Sequence, residues 1–423
     1  MRKTALLLAL ALPLVLACKK ENPTGSGSGG GGTSTGTTET TGAGASTGGT
    51  SSGNGPSATG EAKTGEAKAG CDIPSAITAD YTMKKGCTVV IKDNIHVQEG
   101  ATLTIEDGVK MSFETDTYLW VDYGKLVVKG TDASPVTFTS NNKSPAAGDW
   151  QGIGFAEKVS AGTSLDHLII EYAGSKVNSS VAAIHFDALR NSGRVAITNS
   201  TVRKGAQFAV DSSDNGGFAK FENNTFSENK SGSFHVSGNT LGSVGAGNKF
   251  GDPIHVIDSS VDSTQTWPTF DVPVILDGNL HVKADSTAPT LTISPNNTIK
   301  LGQDRYISVG EGNGGAIVAK NVTFTSASAT PAPGDWGSIF LYGKTSGTTF
   351  DGCTFEYFGS ESDGARGLFT LYGTSAKDLK TVTIANNTIR KGKLGAMRSD
   401  DGDCGAYAKA PNKLEGVPFC KKD

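Results

Sequence analysis

Beyond about residue 72 the chain is written in short alternating runs. Val89-Val90-Ile91, Ile95-His96-Val97, Leu103-Thr104-Ile105, Val109-Lys110-Met111, Leu119-Trp120-Val121 and Leu126-Val127-Val128 follow one another with Gly, Asp or Asn between them. Alternation at period two puts one set of side chains inward and the other outward, as a half-buried strand requires. Strands this short cannot build a core in one hairpin, so the pattern predicts many of them stacked. No long stretch places apolar residues at i, i+3, i+4 and i+7, and little helix is expected.

A finer unit recurs within the alternation. Val195-Ala196-Ile197-Thr198-Asn199-Ser200-Thr201-Val202 returns as Ala219-Lys220-Phe221-Glu222-Asn223-Asn224-Thr225-Phe226, a spacing of 24 (225 − 201), and again as Val382-Thr383-Ile384-Ala385-Asn386-Asn387-Thr388-Ile389. A strand–turn–strand unit with a period of roughly 20–25 residues argues for a solenoid. The x-Ile-x-Asn-x-Thr-hydrophobic unit resembles one rung of a right-handed parallel β-helix of the pectate-lyase-like kind, over about residues 72–400. The resemblance implies that Asn199, Asn223 and Asn386 sit in tight turns and stack on Asn of the next rung, because Asn tolerates the left-handed backbone such a turn needs.

A longer repeat lies over the rungs. Val136-Thr137-Phe138-Thr139-Ser140, Gly148-Asp149-Trp150 and Leu168-Ile169-Ile170-Glu171-Tyr172 are matched by Val322-Thr323-Phe324-Thr325-Ser326, Gly334-Asp335-Trp336 and Cys353-Thr354-Phe355-Glu356-Tyr357. The offset is identical at the first two blocks (322 − 136 = 336 − 150). The expected fold class is therefore all-β: a right-handed parallel β-helix with an internal duplication, its halves at residues 71–250 and 251–423. One continuous stack with a bend near Trp267-Pro268 is the expected form, and two separate β-helices are the alternative.

The N-terminal part reads differently. Arg2 and Lys3 precede an apolar run to Ala17 that is too short for a membrane-spanning helix of about 20 residues. It fits a secretory signal, residues 1–17. Val15-Leu16-Ala17-Cys18 resembles a bacterial lipobox, which implies lipidation of Cys18 and anchoring to a membrane of the cell envelope. Lys19-Lys20 without an adjacent Asp favours the outer membrane of a Gram-negative bacterium. Residues 18–70 then form the lipidated Cys and a Gly-, Ser- and Thr-rich linker without an aromatic residue. Such a segment buries too little apolar surface to order itself, and about 50 residues of it would reach roughly 40 Å.

Export makes disulfides permissible. Cys71 and Cys87 stand at the same spacing as Cys404 and Cys420 (87 − 71 = 420 − 404), one pair at each end of the folded region. Both pairs are expected to be bridged and to cap the stack. Cys353 sits at a strand position and reads as a small buried residue. No Cys/His spacing suggests zinc.

Chemistry is the least informative layer. Lys and Arg number 38 against 42 Asp and Glu, with no basic block for nucleic acid. The chain lacks a Gly-His-Gly and a rung-internal Asp pair of the kind that β-helix hydrolases use, so no catalytic residue is named. Trp150, Trp336, Glu171, Glu356, Arg203, Lys204, Arg390 and Lys391 are the candidate ligand-binding residues, because each recurs in both copies. For the two Trp residues, burial at a rung corner competes with a sugar-stacking platform, and the Gly-Asp turn favours burial. Asp149 and Asp335 fit backbone hydrogen bonding in their turns. Asp211, Asp214 and Asn215, and Asp400, Asp401 and Asp403, are weak calcium candidates with no EF-hand spacing; no cofactor is otherwise expected. His96 and His281 correspond and point outward, while His185 and His235 stand isolated in the sequence. The expected function is non-enzymatic binding or scaffolding at the envelope, with a polysaccharide or another envelope protein as partner. A polysaccharide lyase or glycoside hydrolase, or a plain structural spacer, are the alternatives.

Overall fold

The structure, a computed structural model, describes residues 68–156, 158–175, 181–187, 195–212, 217–364, 367–372, 381–399 and 411–420. Cys18, Asp214, Asn215, Asp400, Asp401, Asp403 and Cys404 lie outside the described residues. Among the described residues the strands form five sheets, and every ladder between them is parallel. The only helices there are the single turns Gly238–Leu241 and Ser362–Gly364.

Each rung visits three faces. In the first copy Thr102–Ile105 lies in a first seven-stranded sheet, Lys110–Phe113 in a second, and Tyr118–Val121 in a 14-stranded sheet that runs the length of the stack. The through-running sheet joins both halves without a break, which makes the described residues one continuous parallel β-helix. The other two sheets stop near the single turn Gly238–Leu241, and a six- and a five-stranded sheet start beyond it. The discontinuity therefore falls before the expected bend, and Gln265–Trp267 is the first strand of the five-stranded sheet.

The duplication is turned by one face. Val136–Ser140 belongs to the second sheet, whereas its counterpart Thr323–Ser326 belongs to the through-running one. Gly152–Phe155 belongs to the through-running sheet, whereas Ile339–Tyr342 belongs to the six-stranded one. Rungs also vary in length more than the recurring Asn-x-Thr unit suggests. Ile254 pairs with Val274 across a short rung, but Leu119 pairs with Ile153 across a much longer one. The extra length holds the Gly148-Asp149-Trp150 excursion between strands.

Inward positions form a continuous apolar column of Leu, Ile, Val and Phe. Aromatic rings stack from rung to rung, as Phe113 on Trp150 (centroids 4.1 Å apart), Phe155 on Phe186 (4.9 Å) and Phe226 on Phe250 (5.3 Å). Close offset stacking of this kind adds to the area that each ring removes from water.

The corners hold a polar ladder, one residue away from where it is expected. Asn199, Asn223 and Asn386 do take left-handed backbone, with φ of 52°, 57° and 57°. That conformation points their side chains out, and Asn199 and Asn386 donate to Asp166 and Asp351 (both 2.8 Å). The following residue turns inward and carries the ladder. Asn224 accepts from the Ser200 amide (3.0 Å) and donates to the Asn248 side chain (3.0 Å), and Asn387 does the same with Cys353 (2.8 Å) and Asn412 (3.1 Å).

Cys71 and Cys87 form a disulfide with a Cα separation of 5.4 Å. Cys420 is disulfide-bonded; Cys404, the partner expected for it, is outside the described residues. Cys353 is a free, buried thiol, and burial pushes its pKa up to about 11. It is a packing residue.

Candidate functional site

The duplicated candidates prove to be parts of the frame. Trp150 and Trp336 are both 0 % exposed, and their indole N–H groups donate to the carbonyls of Glu171 (2.8 Å) and Glu356 (2.7 Å). Neither offers a ring to solvent, which removes them as stacking platforms: the Gly-Asp turn folds each one under its own rung. Asp149 accepts from Ser140 Oγ (2.6 Å) and the Ala146 amide (2.9 Å), and Asp335 accepts from Ser326 Oγ (2.6 Å) and the Ala332 amide (3.0 Å), so both are turn-closing residues.

The recurrent charges are joined to each other across rungs. Arg203 binds Glu171 at 2.6 Å, and Lys204 donates to Tyr172 Oη at 3.2 Å. In the second copy Arg390 (2.7 Å) and Lys391 (3.3 Å) both reach Glu356, and Lys391 donates to Tyr357 Oη at 2.8 Å. Burial pushes the Glu356 carboxyl up, but the Arg390 and Lys391 contacts outweigh it and hold its pKa below the ordinary value. The structure thus brings Glu171, Arg203 and Lys204 together, and Glu356, Arg390 and Lys391 together. The two groups lie on different sheets.

A different surface gathers the side chains suited to recognition. One outward column of the through-running sheet reads, in register, His96, Trp120, Gly154, His185, Asp211, His235 and His255. Four of the six histidines of the chain fall in it. Neighbouring strands stand about 4.8 Å apart, so the column is a close-spaced row. Gly154 makes room for Trp120: a Cβ at that position would overlap the six-membered ring of the indole. The ring is half-buried and lies along the sheet, with His96 and Tyr118 on one side and His185 on the other, their rings meeting at 5.4 Å for His96–Tyr118 and 6.4 Å for Trp120–His185. Around it opens a cleft of about 430 Å³, lined also by Asp122, Gln151 and Asp187.

Each imidazole in the column is oriented by a carboxylate. His96 Nδ1 meets Asp122 at 2.8 Å, and Tyr118 Oη meets His96 Nε2 at 3.3 Å. Asp211 bridges two histidines, His185 Nδ1 at 2.8 Å and His235 Nδ1 at 2.6 Å, and His255 Nδ1 meets Asp277 at 2.7 Å. Asp211 is only 3 % exposed. Burial raises its pKa, but the hydrogen bonds from His185 and His235 outweigh that and leave the carboxyl below its ordinary value. This engagement makes Asp211 a histidine-orienting residue. Among the described residues no three His, Cys, Asp or Glu side chains are arranged to hold a metal ion.

The second copy does not repeat the cleft. His281 pairs with Ser308 and then Phe340 where the first copy has His96, Trp120 and Gly154. Bulk and space have changed places, and Phe340 packs against Tyr306 with ring centroids at 5.1 Å. His281 donates to or accepts from Ser308 Oγ at 2.7 Å, and burial lowers its pKa. Sequence reasoning missed the column because His185, Asp211, His235 and His255 look unrelated along the chain. Their shared place in Ala-Ile-His-Phe, Ala-Val-Asp-Ser, Ser-Phe-His-Val and Pro-Ile-His-Val, at the outward position of successive rungs, was the available signal.

Residues 75–196, which include every lining residue of the cleft, match the family described as pectate-lyase like beta helix domain. No curated protein and no solved structure matches the chain. The protein is a parallel β-helix, and its first rungs are similar to pectate-lyase-like β-helix domains.

Proposed function

We propose that this is an exported, lipid-anchored β-helix protein of the cell envelope that binds polysaccharide without cleaving it. The observation that carries the reading is Trp120, laid flat over Gly154 inside a cleft edged by Tyr118, His96 and His185. A half-exposed ring in the plane of a sheet presents an apolar face to the C–H face of a sugar, while the polar groups at its rim meet the hydroxyls. A row of parallel strands also suits an extended polymer. The cleft's two carboxylates, Asp122 and Asp187, are not joined there by an Arg or Lys among the described lining residues, which favours binding over a lyase.

The test is affinity electrophoresis and calorimetry of the full chain against a polysaccharide panel. Trp120→Ala should lose binding while the protein stays folded, since a half-buried ring on the outer face contributes less to stability than a core aromatic. Equal binding by the variant would place the site elsewhere. Depolymerisation of any bound polymer would replace binding by catalysis.

The anchor belongs to the same reading and rests on the ordered signal features ending at Cys18. Stable attachment requires more than one acyl chain. Cys18→Ser should move the exported protein from the membrane fraction to the soluble one, and a variant that still sediments with membranes would show another anchor.

A further inference from the structure

We propose that the cleft selects a polysaccharide without carboxyl groups, and that Asp211 is the positioning residue that sets this preference. The inference rests on the glycan-binding reading and deepens it. Asp122 and Asp187 bring two carboxylates to the cleft, and an ionised carboxylate only accepts hydrogen bonds. A neutral imidazole whose Nδ1–H is committed to a carboxylate has Nε2 as an acceptor. The contact of His185 with Asp211 imposes this tautomer on the neutral ring at one side of Trp120, while on the other side His96, held by Asp122, has its Nε2 engaged by Tyr118 Oη. The rim is therefore built to receive donors. Sugar hydroxyls supply them. The carboxylate of a uronate supplies none and would meet Asp122 and Asp187 as like charges, an arrangement that acts against a wrong partner.

Asp211 is what makes the His185 end permanent. Its buried carboxyl is shared between His185 and His235, so neither imidazole can turn over without leaving an oxygen unpaired out of water. Asn at this position has one acceptor and one donor group. It would force one of the two imidazoles into the other tautomer or orientation.

The experiment compares the affinities of the full chain for a neutral hexose polymer and for polygalacturonate of matched length, at neutral pH and physiological salt. The neutral polymer should bind at least about tenfold more tightly, because like charges at a binding site oppose association. In Asp211→Asn the ratio should fall, with the neutral polymer losing affinity. His185→Gln, at a half-buried surface position, tests the same end of the cleft if Asp211→Asn unfolds, and it should also narrow the ratio. Polygalacturonate binding as tightly as the neutral polymer would overturn the inference and leave the glycan reading standing. A native-like Asp211→Asn with an unchanged ratio would remove Asp211 from it. Failure to bind any polymer would overturn both.

Discussion

Trp120 lies across Gly154, its neighbour in the next rung of the same outward column. The pair is a matched unit of bulk and space, and the second copy shows the reverse arrangement with Ser308 and Phe340. Gly154→Val should expel the indole from the sheet face. Acrylamide quenching of Trp fluorescence is the measurement, because Trp150, Trp267 and Trp336 are buried and Trp120 alone is half-exposed. Quenching should rise while stability falls by about 1–3 kcal/mol, the usual cost of overpacking.

Trp150→Ala and Trp336→Ala should each destabilise by about 3–5 kcal/mol, the cost of emptying a large aromatic site. Chemical denaturation measures it. Each loses an indole hydrogen bond as well as core contacts, and Trp150 also loses its stack on Phe113. Polysaccharide binding measured on the folded fraction should be unchanged.

The corner ladder separates neighbouring Asn residues. Asn224→Ala removes the side-chain acceptor of the Ser200 amide and a donor to the Ile197 carbonyl at a buried site and should cost about 1–3 kcal/mol. Asn223→Gly, at φ 57°, should be nearly neutral, because glycine accepts left-handed backbone readily. Urea unfolding of the two variants should rank them far apart.

Asp211 predicts a direction in acid. Its folded pKa is depressed, so its contribution is present above the unfolded carboxylate pKa of about 3.9 and is lost as pH falls through the lower folded value. The stability gap between wild type and Asp211→Asn should therefore be widest near neutrality and shrink in that acid range. A gap that stays constant down to the acid limit would contradict the depressed carboxyl.

The Cys71–Cys87 bridge closes a sequence separation of 16 at the first rungs. Its removal by Cys71→Ala with Cys87→Ala should cost about 3 kcal/mol in the loop-entropy account. Hydrogen exchange should quicken at Tyr81–Met83 and stay slow at Ile339–Tyr342, far along the stack.

The strands and the stack were legible because alternation at period two is local, and because an inward residue such as Leu119 or Ile153 must be apolar wherever its rung ends. Register was legible only in part. The repeat showed that corners contain Asn, but Asn223 and Asn224 differ only in backbone conformation, so the sequence could not say which one turns in. The duplicated Glu171 and Arg203 were legible as a recurring set, but their pairing with each other across rungs was not. Recurrence marks what both copies need, and both need the inter-rung ion pair. The cleft was hidden for the opposite reason. Trp120, Gly154 and His185 occur once, and only the parallel pairing of Leu119 with Ile153, and of Ile153 with Ile184, brings them together.

The turn of the second copy by one face has a consequence for how far the molecule can read along a filament. A copy added by pure translation would lengthen a chemical stripe; a copy added with a turn leaves the stripe at its original length. The column beyond His255 continues as Ile275, Lys300 and Thr325, a row with none of the earlier chemistry. The distinctive chemistry of this face is thus confined to the strands from Ile95–Val97 to Ile254–Val256, whereas the stack that carries it is built from both halves.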